Sequence, residues 1–492
     1  MNQYMKTIKI AGLISLLFVA NSCKDFEELQ IDPNRATQTH PSLLLTGIEV
    51  DAFSNIDLGS AMASRMLVYT DGTADEQYYS WLRSGYGRYN NLRQVVKMNE
   101  EAERLELDNY KSLALFFMSW QILEITKVFG DVPYSDAMQA TSGITSPTYD
   151  TQQDIYIRVL DDLKTANNNL DPIKGTITGD VVYNGDILKW KKLINSFSLR
   201  ILISLSLKTG NTALNVVTRF KEITDNPDQY PIFTSNEDNA ALPFYDIATN
   251  RYPYFNNNNL KTAFYMEESF VNLLKDRSDP RLFTFADRTP LAVDADLPET
   301  DFGAYGGLDG SAPLSENTTR VVAGEASRID LRYYNDPVNE PSLALSYAEV
   351  EFTLAEAAKL GWITDDAEEH YNNGIRASMD FYEISTGDQD AYLLQPDVTY
   401  VAANGLEMIL TQKYINFYMK GGWESFYNHL RTGFPEFSVD GGGVLNNEQV
   451  PKRWMYPQEE LQLNTVNVQA AISRQYTGGD DINGVMWLLK VE

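Results

Sequence analysis

From Leu113 to Phe129, apolar side chains at Leu113, Phe116, Phe117, Trp120, Leu123 and Val128 recur close to the 3.6-residue period of a helix. Gly130 and Asp131 end the run. A chain that repeats this pattern must stack helices, because each apolar face is buried only when a neighbour covers it. The pattern does repeat. Gln153 to Leu170 carries it through Ile155, Ile157, Val159, Leu160 and Leu163, stopping at Asp171-Pro172. Gly185-Asp186 opens another helix through Ile187, Leu188, Trp190, Leu193, Ile194, Phe197, Leu199, Ile201 and Leu202. Tyr347 to Leu360 is followed, after Gly361, by Asp366 to Tyr382, with small residues at Ala355, Ala357 and Ala358 where two helices must approach closely. Helix pairs with small contact residues predict an all-α, tetratricopeptide-like scaffold, although no strict period is visible.

Between Asp225 and Asn339 the character changes. Pro, Gly, Asn and Asp abound, and aromatics intersperse them at Phe244, Tyr245, Tyr252, Tyr254, Phe255, Phe302 and Tyr305. One helix, Ala263 to Asp276, is expected inside this stretch. Such a long irregular segment is functional or disordered, and its aromatic content argues for the former. The domain reading is therefore a leader at 1–22, a tether at 23–42, a helical scaffold at 43–224 and 340–492, and an irregular, loop-rich ligand-binding subdomain at 225–339.

Lys6 and Lys9 precede an uncharged, mostly apolar run from Ile10 to Ala20 and then Asn21, Ser22 and Cys23. The run is shorter than the ~20 apolar residues a membrane-spanning helix needs. It fits a secretory signal peptide. Cys23 is the one cysteine in the sequence, so it cannot form an internal disulfide. Its position predicts a lipoprotein leader, with Cys23 as the lipid-attachment residue and the mature N-terminus. Several acyl chains, at roughly 0.8 kcal/mol per buried methylene, anchor a protein without a spanning helix. Removing the leader takes the formal charge from -28 to -30. That surface excludes nucleic acid as a partner and leaves the lipid anchor as the only expected membrane attachment.

Little of the sequence suits catalysis. Its 3 histidines, His40, His370 and His429, stand far apart, which leaves no material for a Ser-His-Asp triad or a His-based zinc site. Gly421-Gly422 and Gly441 to Gly443 lack a phosphate-loop spacing. Glu349 and Glu356, seven apart on one helix face, are the one carboxylate pair with glycosidase-like placement. They read better as scaffold residues, with Glu349 bonding a helix end or an arginine. Asp294 and Asp296 lack calcium-loop spacing. Neither metal, cofactor nor catalytic residue is expected.

A binding surface is better supported. Aromatics make up 12% of the chain, with 29 Tyr and 22 Phe, more rings than a helical core requires. A sugar ring offers an apolar C–H face and a rim of hydroxyls, so a glycan platform needs rigid flat rings beside Arg, Asn or Asp. Tyr78, Trp81, Tyr86 and Arg88 form one such constellation, at an expected loop–helix junction. Trp81 and Tyr86 are the expected exposed platforms. Asn250, Arg251, Tyr252 and Tyr254 form a second. Tyr305, beside Gly306-Gly307, is a third. Trp120, Trp190, Trp362 and Trp454 are expected in the core.

The sequence also resembles the SusD/RagB family of starch-binding-type outer-membrane lipoproteins along nearly all its length. The resemblance is carried by Asp32-Pro-Asn-Arg-Ala-Thr37, Phe129-Gly-Asp-Val-Pro-Tyr-Ser135, Tyr183-Asn-Gly-Asp186 with Lys189-Trp190, Asn195-Ser196 and Leu199-Arg200. It continues through Asp279-Pro-Arg-Leu282, Tyr347-Ala-Glu349, Leu354 to Ala358, Gly361-Trp362 and Gln412-Lys413. Trp423-Glu424, Arg431 to Pro435, Lys452-Arg453 and Tyr456-Pro457 complete it. The resemblance implies a helical scaffold facing the cell exterior, an oligosaccharide ligand, and a partner: a SusC-like TonB-dependent outer-membrane barrel. Alternatives are the same architecture binding peptides, and a surface glycosidase.

Overall fold

Helices form where apolar spacing and capping residues coincide. The computed structural model describes residues 38–492, so the leader, Cys23 and the Asp32 to Thr37 motif lie outside the described residues. The helices that matter here are α1 (Ser42–Phe53), α2 (Arg88–Arg104), α3 (Asp108–Phe129), α4 (Gln152–Asn169), α5 (Ile187–Ser204) and α6 (Glu268–Asp276). They are followed by α7 (Tyr347–Lys359), α8 (Ala367–Phe381), α9 (Gly405–Asn416), α10 (Glu424–Thr432) and α11 (Thr465–Gln475). Side chains of Thr151, Asp186, Ser346 and Asp366 accept N–H groups from the first turns of α4, α5, α7 and α8, each cap worth about 1 kcal/mol. Among the described residues helix makes up 52% and strand 5%, with no closed sheet, so the all-α expectation of tetratricopeptide-like pairs holds. In the α7–α8 pair a Cβ on Gly374 would sit 2.6 Å from the Phe352 ring, so only glycine permits that approach.

One expected helix is corrected. Ala263 to Asp276 divides into strand β3 (Phe264–Met266) and α6. β3 pairs antiparallel with β1 (Leu67–Tyr69), Leu67 opposite Met266. Phe264, Tyr265 and Met266 are all buried. A paired strand covered on both faces permits that, whereas a one-sided amphipathic helix does not. Glu267 then starts α6 by accepting from Ser269 N–H at 2.7 Å and Phe270 N–H at 3.1 Å. A second ladder joins β2 (Ala240–Leu242) to β4 (Ser342–Leu345).

Two large apolar cores result. The first lies among α1 to α5 and takes in Trp120, Trp190 and Trp362 as expected. The second gathers Tyr252, Phe264, Phe270, Phe285, Tyr305 and Tyr333 of the irregular segment with Trp81, Tyr418 and Phe426. Residues 41–492 form one compact unit. Arg281 fastens the irregular segment to the helices: it pairs with Asp279 at 2.5 Å and donates to Ser378 of α8 at 2.9 Å and Gln412 of α9 at 2.8 Å.

Buried ion pairs tie the helices together. Arg200 of α5 donates to both oxygens of Glu349 on α7, at 2.6 and 2.5 Å. Arg431 of α10 grips Glu356 at 2.5 and 3.1 Å, with Lys413 of α9 3.6 Å away. Lys127 of α3 bonds Glu424 at 2.5 Å. Burial works to raise the Glu356 carboxyl, but the charges of Arg431 and Lys413 outweigh it and hold it below the usual range. Removing one member of such a pair strands a charge in low dielectric. Glu356→Gln is therefore expected to cost about 3–5 kcal/mol in chemical denaturation, well above a surface Glu→Gln control.

Glu49 of α1 has no such cation among the described residues. It is fully buried, accepts from Val181 N–H at 2.7 Å and faces Asp180. Burial and the Asp180 charge push its carboxyl up to about 10. Between the ordinary carboxylate range and that value, the folded chain holds a proton the unfolded chain has released, so stability falls as pH rises. Glu49→Gln is expected to stabilise the protein by about 1–3 kcal/mol at mildly alkaline pH and by nothing near pH 4, read from paired denaturation curves.

Candidate functional site

The first aromatic constellation is built into the interior, which corrects the expectation of exposed platforms there. Trp81 is 4% exposed. It stacks on Trp454 at 4.6 Å and 12°, meets Phe426 edge-on at 5.5 Å, and donates its indole N–H to the Arg453 carbonyl at 3.1 Å. Gathering Trp81, Trp423, Trp454 and Phe426 removes more apolar area from water than a lone exposed ring would leave free. Trp454 itself is half-buried at the edge of this cluster. Tyr86 is half-buried between Tyr89 and Phe129, both at 5.1 Å, with its hydroxyl 3.2 Å from that of Tyr149. Tyr78 is buried in the short helix Asp75–Tyr78. Arg88 opens α2 at the surface, 3.6 Å from Glu124.

The second constellation divides by polarity. Tyr252 is 2% exposed, packed by Phe244 at 5.5 Å and Tyr333 at 6.3 Å. Tyr254 is half-buried and its hydroxyl accepts from Leu58 N–H at 3.2 Å. Asn250 and Arg251 are exposed on a tight turn that Tyr245 N–H closes onto the Asn250 carbonyl at 2.8 Å. There Arg251 bonds Asp246 at 2.7 Å and covers the Phe255 ring at 5.1 Å. Tyr245, named among the aromatics of this segment but not as a binding residue, is 53% exposed at the base of this turn.

Tyr305, the third expectation, lines a cleft of about 540 Å³ in the irregular segment. Two distant stretches build it. Ala286 bridges antiparallel to Ile329, Asp287 N–H bonds the Arg328 carbonyl at 3.0 Å, and Asp330 N–H bonds the Phe285 carbonyl at 2.9 Å. This pairing sets Asp287, Arg328 and Asp330 around one opening. The short helix Pro290–Asp294, capped by Thr289, closes one side. Tyr305 is only 3% exposed. Its hydroxyl donates to the Glu299 carbonyl at 2.8 Å and its ring lies 5.6 Å from Phe283, which in turn meets Phe302 at 4.7 Å. Burial pushes the Tyr305 phenol up to about 12. Burial and the neighbouring Asp330 charge push Asp287 up to about 6, and burial raises Asp330 as well. The opening thus sets the half-buried Phe283 ring beside carboxylates and guanidinium groups.

Phe283, Asp287, Arg328 and Asp330 were missed in the sequence. They carry no motif, although Asp279 to Leu282 directly precedes the first of them. Glu349 and Glu356 are sealed in ion pairs with Arg200 and Arg431. Among the described residues, no group of three or more His, Cys, Asp or Glu is placed to hold a metal ion.

Residues 33–457 match the SusD-like family described as starch-binding and associating with the outer membrane. No curated protein matches the chain. Among solved structures, a Bacteroides vulgatus outer-membrane protein described in connection with nutrient binding is 37% identical, with a TM-score of 0.87 over 92% of this chain and 100% of its own. A SusD homologue of Bacteroides fragilis is 38% identical, with a TM-score of 0.85 over 92% and 100%. A second B. fragilis SusD homologue is 30% identical, with a TM-score of 0.86 over the same shares. With the family match spanning most of its length and these homologues superposing on its helical scaffold, this chain is a member of the SusD-like, outer-membrane-associated family.

Proposed function

We propose that this protein is a non-catalytic lipoprotein, anchored through Cys23 on the exterior face of the outer membrane. It binds a nutrient oligosaccharide and passes it to a SusC-like TonB-dependent barrel. The observation that carries the reading is the cleft at Tyr305, whose volume of about 540 Å³ falls within the range of small-molecule sites. The half-buried Phe283 supplies the flat face, and Asp287, Arg328 and Asp330 supply the rim. The exposed Tyr245, Asn250 and Arg251 form a separate surface patch that could lengthen contact with an extended chain. The apolar leader ending at a lone Cys23 supports the anchor, and the family description supports the outer membrane.

Calorimetric titration of the mature chain, made without its lipid, against a panel of oligosaccharides tests the reading. At least one is expected to bind, and Phe283→Ala is expected to weaken it by about 1–3 kcal/mol, as at other aromatic anchors. Trp81→Ala, by contrast, is expected to cost about 3–5 kcal/mol of stability, as for a buried ring, with affinity for the same sugar unchanged in the folded fraction. A panel in which no sugar binds defeats the glycan reading.

Anchoring is tested separately by fractionating cells that make the full chain. Cys23→Ala is expected to move the protein from the membrane fraction to the soluble one, since acyl burial is the proposed attachment. Retention in the membrane overturns that attachment.

A further inference from the structure

The α7–α8 pair is joined by a histidine set between two acids. His370 lies in the first turn of α8, half-buried, and its ring faces back to α7, where Nδ1 stands 2.7 Å from Glu351 Oε2. On the other side, Nε2 stands 3.5 Å from Asp365 Oδ2, in the turn that leads into α8. Glu351 is buried, and the Tyr347 hydroxyl of α7 lies beside it. Glu349 and Glu356 on the same helix are each held by an arginine. Glu351 is held differently. Among the described residues its ion-pair partner is His370, and the same is true of Asp365.

An arginine keeps its charge at every physiological pH, whereas an imidazole gains or loses its charge there. Burial works against the charged ring, but the bond to Glu351 and the charges of Glu351 and Asp365 outweigh it and hold His370 above its ordinary range. Below that ordinary range the ring is charged in the folded and the unfolded chain alike, and both ion pairs are fully present. As the pH rises through the folded-state value, the folded ring gives up its proton and the pairs weaken to neutral hydrogen bonds. The helix fastened in this way is the one that carries the irregular segment. Arg281 donates to Ser378 of α8 at 2.9 Å, and Asn236 donates its amide to the Ala377 carbonyl at 2.9 Å.

We propose that His370 is a pH-sensitive clasp: charged, it closes on Glu351 and Asp365 across the α7–α8 pair and tightens the helix that supports the irregular segment, and it loosens as the medium turns alkaline. The inference does not depend on which ligand the protein takes.

The test compares the mature chain, made without its lipid, with its His370→Gln variant, whose neutral amide can still donate to Glu351 but does not titrate. Denaturation curves for both are taken between about pH 5.5 and 8.5. As the pH falls across that window, the unfolding constant of the unsubstituted chain is expected to drop at least about threefold relative to that of the variant. Hydrogen exchange, corrected for its intrinsic pH dependence, reads the same change locally. Protection in the first turns of α8 is expected to fall toward alkaline pH in the unsubstituted chain and to stay level in the variant. With 3 histidines in the sequence, the His370 ring signal in a magnetic-resonance titration is identified by its loss in the variant. Its midpoint is expected above that of the urea-unfolded chain. Parallel pH profiles for the two chains overturn the clasp, and so does a His370 midpoint at or below the unfolded one. Should the variant fail to fold, the ring titration of the unsubstituted chain decides alone.

Discussion

Everything in this fold leans on a set of buried ion pairs. Lys127, Arg200, Glu349, Glu356, Lys413, Glu424 and Arg431 come from five helices, and each charge is enclosed with its opposite. Taking such groups out of water costs several kcal/mol apiece, which only good geometry offsets. Wrong helix registers would leave these charges unpaired, so the pairs select one packing among the many that apolar faces alone would allow. All of them except Lys127 fall in the stretches that carry the family resemblance. Those stretches therefore identify a way of locking helices together and say nothing about a ligand.

The irregular segment is held by the same logic. Asp279 and Arg281 are wholly buried, and Arg281 reaches two helices of the scaffold through Ser378 and Gln412. The β1–β3 ladder sews the segment to the turn after Ala63, and the second core runs through both. The irregular segment thus shares its core with the helices around it. A cleft on such a support keeps its shape before any ligand arrives, which limits the ordering cost of binding.

The sequence made the long helices legible because their signal is local: apolar spacing, a capping Asp, Ser or Thr, and a terminal glycine such as Gly361. It also marked the irregular segment as a place where rings and polar groups concentrate. The rest depended on partners far away in the chain. Whether Trp81 is exposed is decided by Trp423, Trp454 and Phe426, from near the opposite terminus, and no local pattern around Trp81 contains that information. The helix expected from Ala263 failed for a similar reason, since Leu67 to Tyr69 offers Phe264 to Met266 a ladder that outcompetes a short amphipathic turn. Asp287 and Asp330 meet only because Ala286 bridges Ile329. Of the expected site residues, the polar Asn250, Arg251 and Arg88 reached the surface while the rings Trp81 and Tyr252 went inward. Burial ranks side chains by apolar area first.

That ranking also explains why the cleft is the informative place. Folding draws large rings into contact and pairs most of the charges it encloses, with Glu49 an exception, so the half-buried Phe283 and the carboxylates at the cleft rim are what remains within reach of a ligand. Phe283 is held there by Phe302 at 4.7 Å and Tyr305 at 5.6 Å, both tilted against it. The backbone pairing of their own segments sets Asp287 and Asp330 at the rim of the cleft. The helical pairs hold the frame, the clamp at Arg281 holds the segment, and the cleft between its two paired stretches is left where a ligand can reach it.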